Sequence, residues 1–455
     1  MTAFHWNARD VTRALGLPEA AWNHDYTGVS TDTRSLKDGE LFVALKGERF
    51  DAHDFLSDAR LAGVGAVVVR KNTPRWPGFD WFEVDDTLAA LGRLARFRRD
   101  AFHGPVVAVT GTTGKTSTKE LTAAALGAKF AVHRSERNLN NLIGVPLTVL
   151  AIPVEAEAAV IECGASVPGE IAREAAIVRP DVGVVTTVDA AHLEGFGSVE
   201  KVFAEKLSLL DGVATAVVGA TPPTLAEAAR RKARKVVTAG LAGADWTADD
   251  VVIQPDGRAR FKVRGVVVEL PFPGRHMVAN ALVALAVADA VGVPVSAAAP
   301  ALAGARLPAG RSEILELDGI TVINDTYNAN PSSFAAALDL LGAIRGERRA
   351  VVVAGTMREL GARSAELHRQ VAEQILGAKP DLVVAIGEFV APLKGMKPKP
   401  KGKLIAGETP EAVASQLKEK LRAGDVVLLK ASRGVRLESV IPLLWPSYQA
   451  SEAHA

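Results

Sequence analysis

A single cysteine in 455 residues, Cys163, rules out any intramolecular disulfide and suits a reducing compartment. Neither sign of charge dominates: 53 Lys plus Arg against 52 Asp plus Glu leave a formal net charge of +1. That balance argues against a binder of nucleic acid or another polyanion, which carries a basic excess. No long apolar run is present. The greasiest stretch, 278–295, is interrupted by Asn280 and Asp289 and closes on Gly292-Val293-Pro294. It reads as a buried helix rather than a membrane span, which needs about 20 apolar residues. Residues 1–11 have mixed polarity without an apolar core, so no signal peptide is expected, and no repeat of solenoid period is visible. The expectation is a cytoplasmic protein with no nucleic-acid partner and no membrane insertion.

What is present is ordinary globular chemistry, with 48% hydrophobic and 23% charged residues. At about 150 residues per domain the length calls for three domains. Two breakers divide the chain: His103-Gly104-Pro105 and Leu307-Pro308-Ala309-Gly310. They give boundaries at 1–104, 105–307 and 308–455. Within the second segment, the apolar runs 106–109, 158–161 and 182–188 alternate with helix-compatible stretches such as 115–130. Continuous rather than alternating apolar strands predict a parallel sheet covered on both faces. The third segment restarts the alternation, with strands at 321–323, 350–354, 382–386 and 426–429 and helices at 332–341, 365–376 and 411–421. The fold class is therefore α/β: a central parallel-sheet domain and a C-terminal doubly wound, Rossmann-like domain behind an N-terminal one. The Lys-, Pro- and Gly-rich segment 394–403 reads as a solvated loop.

The sharpest local signal is Thr110-Gly111-Thr112-Thr113-Gly114-Lys115-Thr116-Ser117, between an apolar strand and a helix. Glycines let successive N–H groups turn toward phosphate oxygens, Lys115 and the helix dipole add positive charge, and the Thr116 hydroxyl can ligate Mg²⁺. The spacing is shorter than the standard phosphate-loop pattern. Glu162 and His192 follow two further predicted strands, so all three strand ends should face one crevice. A carboxylate and a neutral imidazole can hold Mg²⁺ against nucleotide oxygens, although on position alone a salt-bridge carboxylate and a loop histidine serve equally well. In Asp325-Thr326-Tyr327-Asn328-Ala329-Asn330-Pro331, Asn330 and Pro331 look like an N-cap and first helical position, which leaves Asp325, Tyr327 and Asn328 unexplained by capping. Arg311 is placed to reach a phosphate across a closing cleft.

Together the phosphate loop, Glu162-Cys163-Gly164-Ala165, His192-Leu193-Glu194-Gly195-Phe196-Gly197-Ser198, His276-Met277-Val278-Ala279-Asn280-Ala281 and Ser30-Thr31-Asp32-Thr33-Arg34 resemble the ATP-dependent Mur ligases along essentially the whole chain. Within that family, the segments 138–146 (Asn138-Leu139-Asn140-Asn141 onward) and 325–331 resemble the branch that joins a UDP-N-acetylmuramoyl-tripeptide to D-alanyl-D-alanine in peptidoglycan precursor synthesis. The diaminopimelate- or lysine-adding branch would carry His-Thr-Pro in place of Asn328-Ala329-Asn330. The resemblance implies ATP and Mg²⁺ as cofactors, with Gly111, Thr112, Thr113, Gly114, Lys115, Thr116, Ser117, Asn280, Arg311, Asp325 and Asn328 around the nucleotide. It implies Thr116, Glu162 and His192 as metal ligands, and Lys115, Glu162, His192 and Lys206 as catalytic residues, Lys206 in carbamoylated form. Ser30, Asp32, Arg34, Lys46, Asn138 and Asn141 become candidates for the UDP-substrate, and a monomer is expected. Leu142, Ser166 and Thr356 depart from the family pattern at positions given no part in phosphate transfer. The rivals are another Mur-type or folylpolyglutamate-synthase-like amide ligase, a phosphate-loop NTPase without ligase activity, and a silent binding scaffold.

Overall fold

The computed structural model describes residues 2–47, 49–396 and 404–448. Of the expected loop at 394–403, residues 397–403 lie outside the described residues, and Lys394 and Gly395 end a short helix, Val390–Gly395.

The first sheet is parallel throughout. It consists of β1 (Val29–Ser30), β2 (Leu41–Val43), β3 (Ala66–Arg70) and β4 (Asp80–Val84) in chain order. Helix α1 (Thr87–Asp100) then leads out, begun by the Asp86 carboxylate, which accepts from the Leu88 and Ala89 amides.

The second sheet grows from apolar runs that end in chemistry. In chain order come β5 (Val106–Thr110), α2 (Lys115–Leu126), β6 (Val132–Arg134), β7 (Ala158–Glu162), α3 (Glu170–Val178), β8 (Val182–Val185), α4 (Val199–Leu207), β9 (Thr215–Gly219) and β10 (Lys235–Ala239). Their order across the sheet is β10-β9-β8-β5-β7-β6, all parallel. Strands β5, β7 and β8 are buried along their whole length, as continuous apolar runs require. The phosphate-loop strand β5 lies between β7 and β8, so three carboxyl-terminal strand ends stand side by side. The expected strand at 182–188 stops at Val185, because residues 186–187 turn away to bond the phosphate loop. The expected helix at 115–130 stops at Leu126, with Gly127 at its end.

A small antiparallel sheet follows: β11 (Asp249–Ile253), β12 (Arg258–Val263) and β13 (Val266–Pro273). It was not anticipated, although β12 alternates exposed and buried residues strictly over six positions. Helix α5 (Arg275–Ala290) is buried on nearly all sides, as the stretch at 278–295 predicted, and packs between α2 and this sheet.

The third large sheet has β14 (Glu313–Leu317) and β15 (Ile320–Asp325), helix α6 (Pro331–Arg345), β16 (Ala350–Gly355), α7 (Ser364–Gly377), β17 (Leu382–Ile386), β18 (Leu404–Gly407), α8 (Pro410–Lys418) and β19 (Val426–Lys430). The order is β14-β15-β19-β16-β17-β18, parallel except for the unanticipated hairpin edge β14. Asn330 caps α6 in a reciprocal capping box with Ser333, and Pro331 occupies the first turn, as read from the sequence. One apolar cluster runs through all three large sheets, from Trp6 and Leu41 through Val106, Ala159 and Val185 to Phe334 and Val352.

One buried carboxylate ties two helices of the second sheet together. Glu205 on α4 accepts from the Gly169 and Ile171 amides at the start of α3, both at 2.8 Å. Glu205→Ala strands two amide donors at a helix N-terminus and should lower the unfolding free energy by about 2–3 kcal/mol. Urea unfolding measures this; a loss below about 0.5 kcal/mol would show the cap to be dispensable.

Candidate active site

The phosphate loop is fixed from one side by the tail of β8. The Thr112 amide donates to Thr187 O at 2.8 Å, the Thr186 amide to Thr110 O at 2.9 Å, and Thr186 Oγ1 to Thr113 O at 2.6 Å. Two glycines are demanded by this closeness. A Cβ on Gly111 would lie 2.0 Å from Thr186 Oγ1, and one on Gly114, at φ +80°, 2.6 Å from Asn280 Oδ1. Helix α2 starts directly after Gly114, so its free amides and dipole face the loop. Lys115 Nζ donates to Gly111 O at 2.9 Å and Thr112 O at 3.3 Å. Burial pushes the Lys115 ammonium pKa down; Glu162 opposes that and Arg311 adds to it.

Glu162 ends β7 nearly fully buried. Its Oε1 accepts from Asn140 Nδ2 at 2.8 Å, and Oε2 has no hydrogen-bond partner. A buried carboxylate oxygen left without a donor is costly unless a cation joins it. Ser135 Oγ accepts from the Glu162 amide, and Lys119 Nζ, itself buried and paired with Glu120, donates to Ser135 O at 2.6 Å. Sequence reasoning passed over Asn140 as a contact, Ser135 and Lys119; a buried lysine four residues beyond Lys115 was the available signal.

His192 sits at φ +52°, in the left-handed region. Its Nδ1 lies 2.5 Å from Glu359 Oε2, a charge contact without aligned hydrogen-bond geometry. The imidazole beside it holds the Glu359 carboxyl below the usual range. Glu359 comes from the loop after β16 and was not foreseen as a site residue.

Lys206, at the end of α4, is 1% exposed and its Nζ has no hydrogen-bond partner among the described residues. Burial first, and the nearby Lys115 charge second, push its pKa down to about 7. Close by, both Glu174 oxygens are buried without hydrogen-bond partners, and burial raises that carboxyl to about 9. Burial likewise pushes the Cys163 thiol up. Cys163 is packing between charged neighbours rather than a nucleophile.

The opposite wall belongs to the third sheet. Asp325, at the end of β15, accepts from the Ser312 amide at 2.9 Å and from Lys430 Nζ at 2.5 Å; Lys430 also donates to Asn328 O at 3.1 Å. Lys430 ends the neighbouring strand β19 and is buried. It too was missed, since its partner stands more than a hundred residues earlier. The Arg311 guanidinium stacks 3.9 Å from the Tyr327 ring centroid, with its Nε buried and unpaired. His276 Nε2 is 3.4 Å from Ser312 Oγ, and burial keeps this imidazole below its ordinary pKa.

Both walls enclose a cleft of about 530 Å³. Thr112, Thr113, Gly114, Lys115, Thr116, Ser117, Glu162, His192, Asn280, Arg311, Asp325 and Asn328 all line it. Gly111 lies behind the loop and Lys206 outside the lining. Asn138 and Asn141 line this cleft rather than the first sheet's surface, and Asn141 Oδ1 also accepts from the Ile143 and Gly144 amides where the helix Gly144–Leu150 begins. Ser30, Asp32, Arg34 and Lys46 are not among the lining residues; Arg34 pairs with Asp32 at 2.6 Å on the surface, and Lys46 with Asp51 at 3.7 Å. Among the described residues, no group of three or more His, Cys, Asp or Glu forms a metal cage. Thr116, Glu162 and His192 fit a hard cation that completes its shell from phosphate oxygens, and the unpaired Glu162 Oε2 is the observation that supports it.

A phosphate loop, a buried carboxylate with one oxygen left without a donor and a second wall carrying Arg311 and Lys430 define an enzyme that handles nucleotide phosphates. The chain belongs to the Mur ligase family. Residues 25–99 match "Mur ligase family, catalytic domain", 109–288 "Mur ligase middle domain" and 310–433 "Mur ligase, glutamate ligase domain". It is 38% identical over 432 residues to the UDP-N-acetylmuramoyl-tripeptide–D-alanyl-D-alanine ligase of Escherichia coli (strain K12), covering 91% of this chain and 93% of that one. The crystal structure of MurF from Acinetobacter baumannii superposes with a TM-score of 0.88 at 30% identity, covering 98% of this chain and 99% of that one. The MurF ligase of Thermotoga maritima in complex with ADP gives 0.82 at 30% identity, covering 92% and 96%. Among the described residues, no helix is long and apolar enough to cross a membrane.

Glu174 yields a pH prediction. Its folded pKa, about 9, exceeds the ordinary 4.5. Its contribution to stability is therefore fully present below about pH 4.5 and lost as pH rises toward about 9. Glu174→Gln, which keeps shape without the proton, should gain stability relative to the parent across that window. Urea unfolding at stepped pH measures the difference, and parallel curves would show that Glu174 stays ionised.

Proposed function

We propose that the protein joins the terminal peptidyl carboxylate of UDP-N-acetylmuramoyl-tripeptide to the amine of D-alanyl-D-alanine. ATP is converted to ADP and phosphate, at a cytoplasmic step of peptidoglycan precursor synthesis. The single observation that carries this reading is the convergence, in one cleft, of the phosphate loop, Glu162 with its donor-less Oε2, and the Arg311–Asp325–Asn328 wall. The division of labour follows the sheets. Residues 1–104 would take the UDP end, with Ser30, Asp32, Arg34 and Lys46 as contacts. Residues 105–307 would hold ATP, and 308–455 would close on the nucleotide and bring the dipeptide.

The peptidyl carboxylate is a poor acyl donor and is repelled by ATP. Lys115 screens that repulsion, and the loop amides hold the phosphates so that the carboxylate attacks the γ-phosphorus in line, with ADP leaving. Thr116, Glu162 and His192 would hold Mg²⁺, which would supply further neutralising charge. The resulting acyl phosphate is attacked by the deprotonated dipeptide amine, and the tetrahedral adduct collapses to amide and phosphate. Arg311 and Asn328 on the third sheet keep water from the acyl phosphate by closing the cleft.

Lys206 is read as carbamoylated. A buried amine with a pKa near 7 is about half uncharged at neutral pH, and it is this uncharged form that adds CO₂ and releases a proton. The carboxylate so formed would replace a buried cation, with protonated Glu174 nearby as a donor.

Phosphate release with Mg-ATP and UDP-N-acetylmuramoyl-tripeptide should depend on D-alanyl-D-alanine; release independent of the dipeptide would instead support a simple phosphate-loop NTPase. Lys115→Ala should lower turnover at least about 10²-fold with an unchanged melting temperature, and retained activity would refute its role.

A further inference from the structure

The loop after β16 makes a paired contact with the His192 turn that the reaction as described does not use. The Glu194 amide donates to Glu359 O at 3.1 Å, which docks the two backbones. A Cβ on Gly361 would stand 3.2 Å from Glu194 Cα, so the approach is close along the whole turn. Glu359 and His192 both hold left-handed backbone, at φ +64° and +52°. Non-glycine residues keep that conformation only where their surroundings enforce it, and it concentrates at functional sites. The docking is made by main chain, which leaves the Glu359 carboxylate free, and it stands against His192 Nδ1.

We propose that Glu359 is a positioning residue: its carboxylate, delivered by the loop after β16 and already in charge contact with Nδ1, aligns into a hydrogen bond with the His192 ring when the cation binds, so that the other ring nitrogen is presented to the cation at the phosphate loop. A metal-bound histidine commonly has its second nitrogen held by a carboxylate, which sets tautomer and orientation and raises ligand basicity. Here the holder and the ligand belong to facing sheets. The cation site is therefore complete only when the β16 loop is docked on the His192 turn, so metal affinity reports closure of the cleft. A small side cavity lined by Lys115, His192, Asn328 and Glu359 shares the first three of these residues with the main cleft, so this contact adjoins it.

The proposal rests on reading His192 as a metal ligand, and a double-mutant cycle separates the two claims. Mn²⁺ binding to the full-length protein with ADP is measured by electron paramagnetic resonance for the parent, E359Q, H192A and the double variant. E359Q should weaken Mn²⁺ binding about 10-fold or more with metal-free ADP binding unchanged, and should cost nothing further beside H192A. E359D, which keeps the charge, should recover part of the loss and covers the case in which E359Q folds poorly. In the metal-free protein, E359Q should also shift the ring-nitrogen resonances of labelled His192. Unchanged Mn²⁺ affinity in E359Q, or additive losses in the double variant, would overturn the positioning role while leaving His192 as a ligand. Unchanged affinity in H192A would remove the metal-ligand reading and the proposal with it.

Discussion

The structure depends on a seam of short hydrogen bonds between residues 110–113 and 186–187. It joins the loop after β5 to the tail of β8 and sets where the loop amides and the Lys115 ammonium, which donates to Gly111 O and Thr112 O, must point. Because three parallel strands end together there, the loop amides, Glu162 and His192 need no long-range adjustment to share a site. The seam also explains why β8 ends early: Thr186 and Thr187 exchange strand pairing for bonds to the loop. Side chains that could have extended the sheet instead hold a turn open for phosphate.

Around that seam the protein keeps cations where water is scarce. Lys119, Lys206 and Lys430 are all about 1% exposed or less, and Lys115 is half-buried. Lys119 and Lys430 are matched by Glu120 and Asp325. Lys206 has no hydrogen-bond partner, and Lys115 has only backbone carbonyls. Burying charge without a partner is unfavourable, so these two lysines store a demand for anions that phosphates, or a carboxylate formed on Lys206, would meet. A net charge of +1 concealed this arrangement completely.

Much of this was legible in the sequence where the signal was local. The apolar runs at 106–109, 158–161 and 182–188 identified the parallel sheet, although the last was read three residues too long, and Asn330-Pro331 identified the start of α6. Contacts between residues far apart in the chain were not legible. Lys430 meets Asp325 because β15 and β19 pair within one sheet, and Glu359 meets His192 because two separate sheets end in the same cleft; no spacing along the chain encodes either. The antiparallel unit β11 to β13 was missed although its alternation is clear in β12, a local signal that was left unread.

Thr186 is crowded from two sides. A side-chain carbon on Gly111 would strike its hydroxyl at 2.0 Å, and one on Gly219 would strike its carbonyl at 1.8 Å. Its strand neighbours therefore leave it no room to shift, and the nucleotide-facing wall behaves as an anvil.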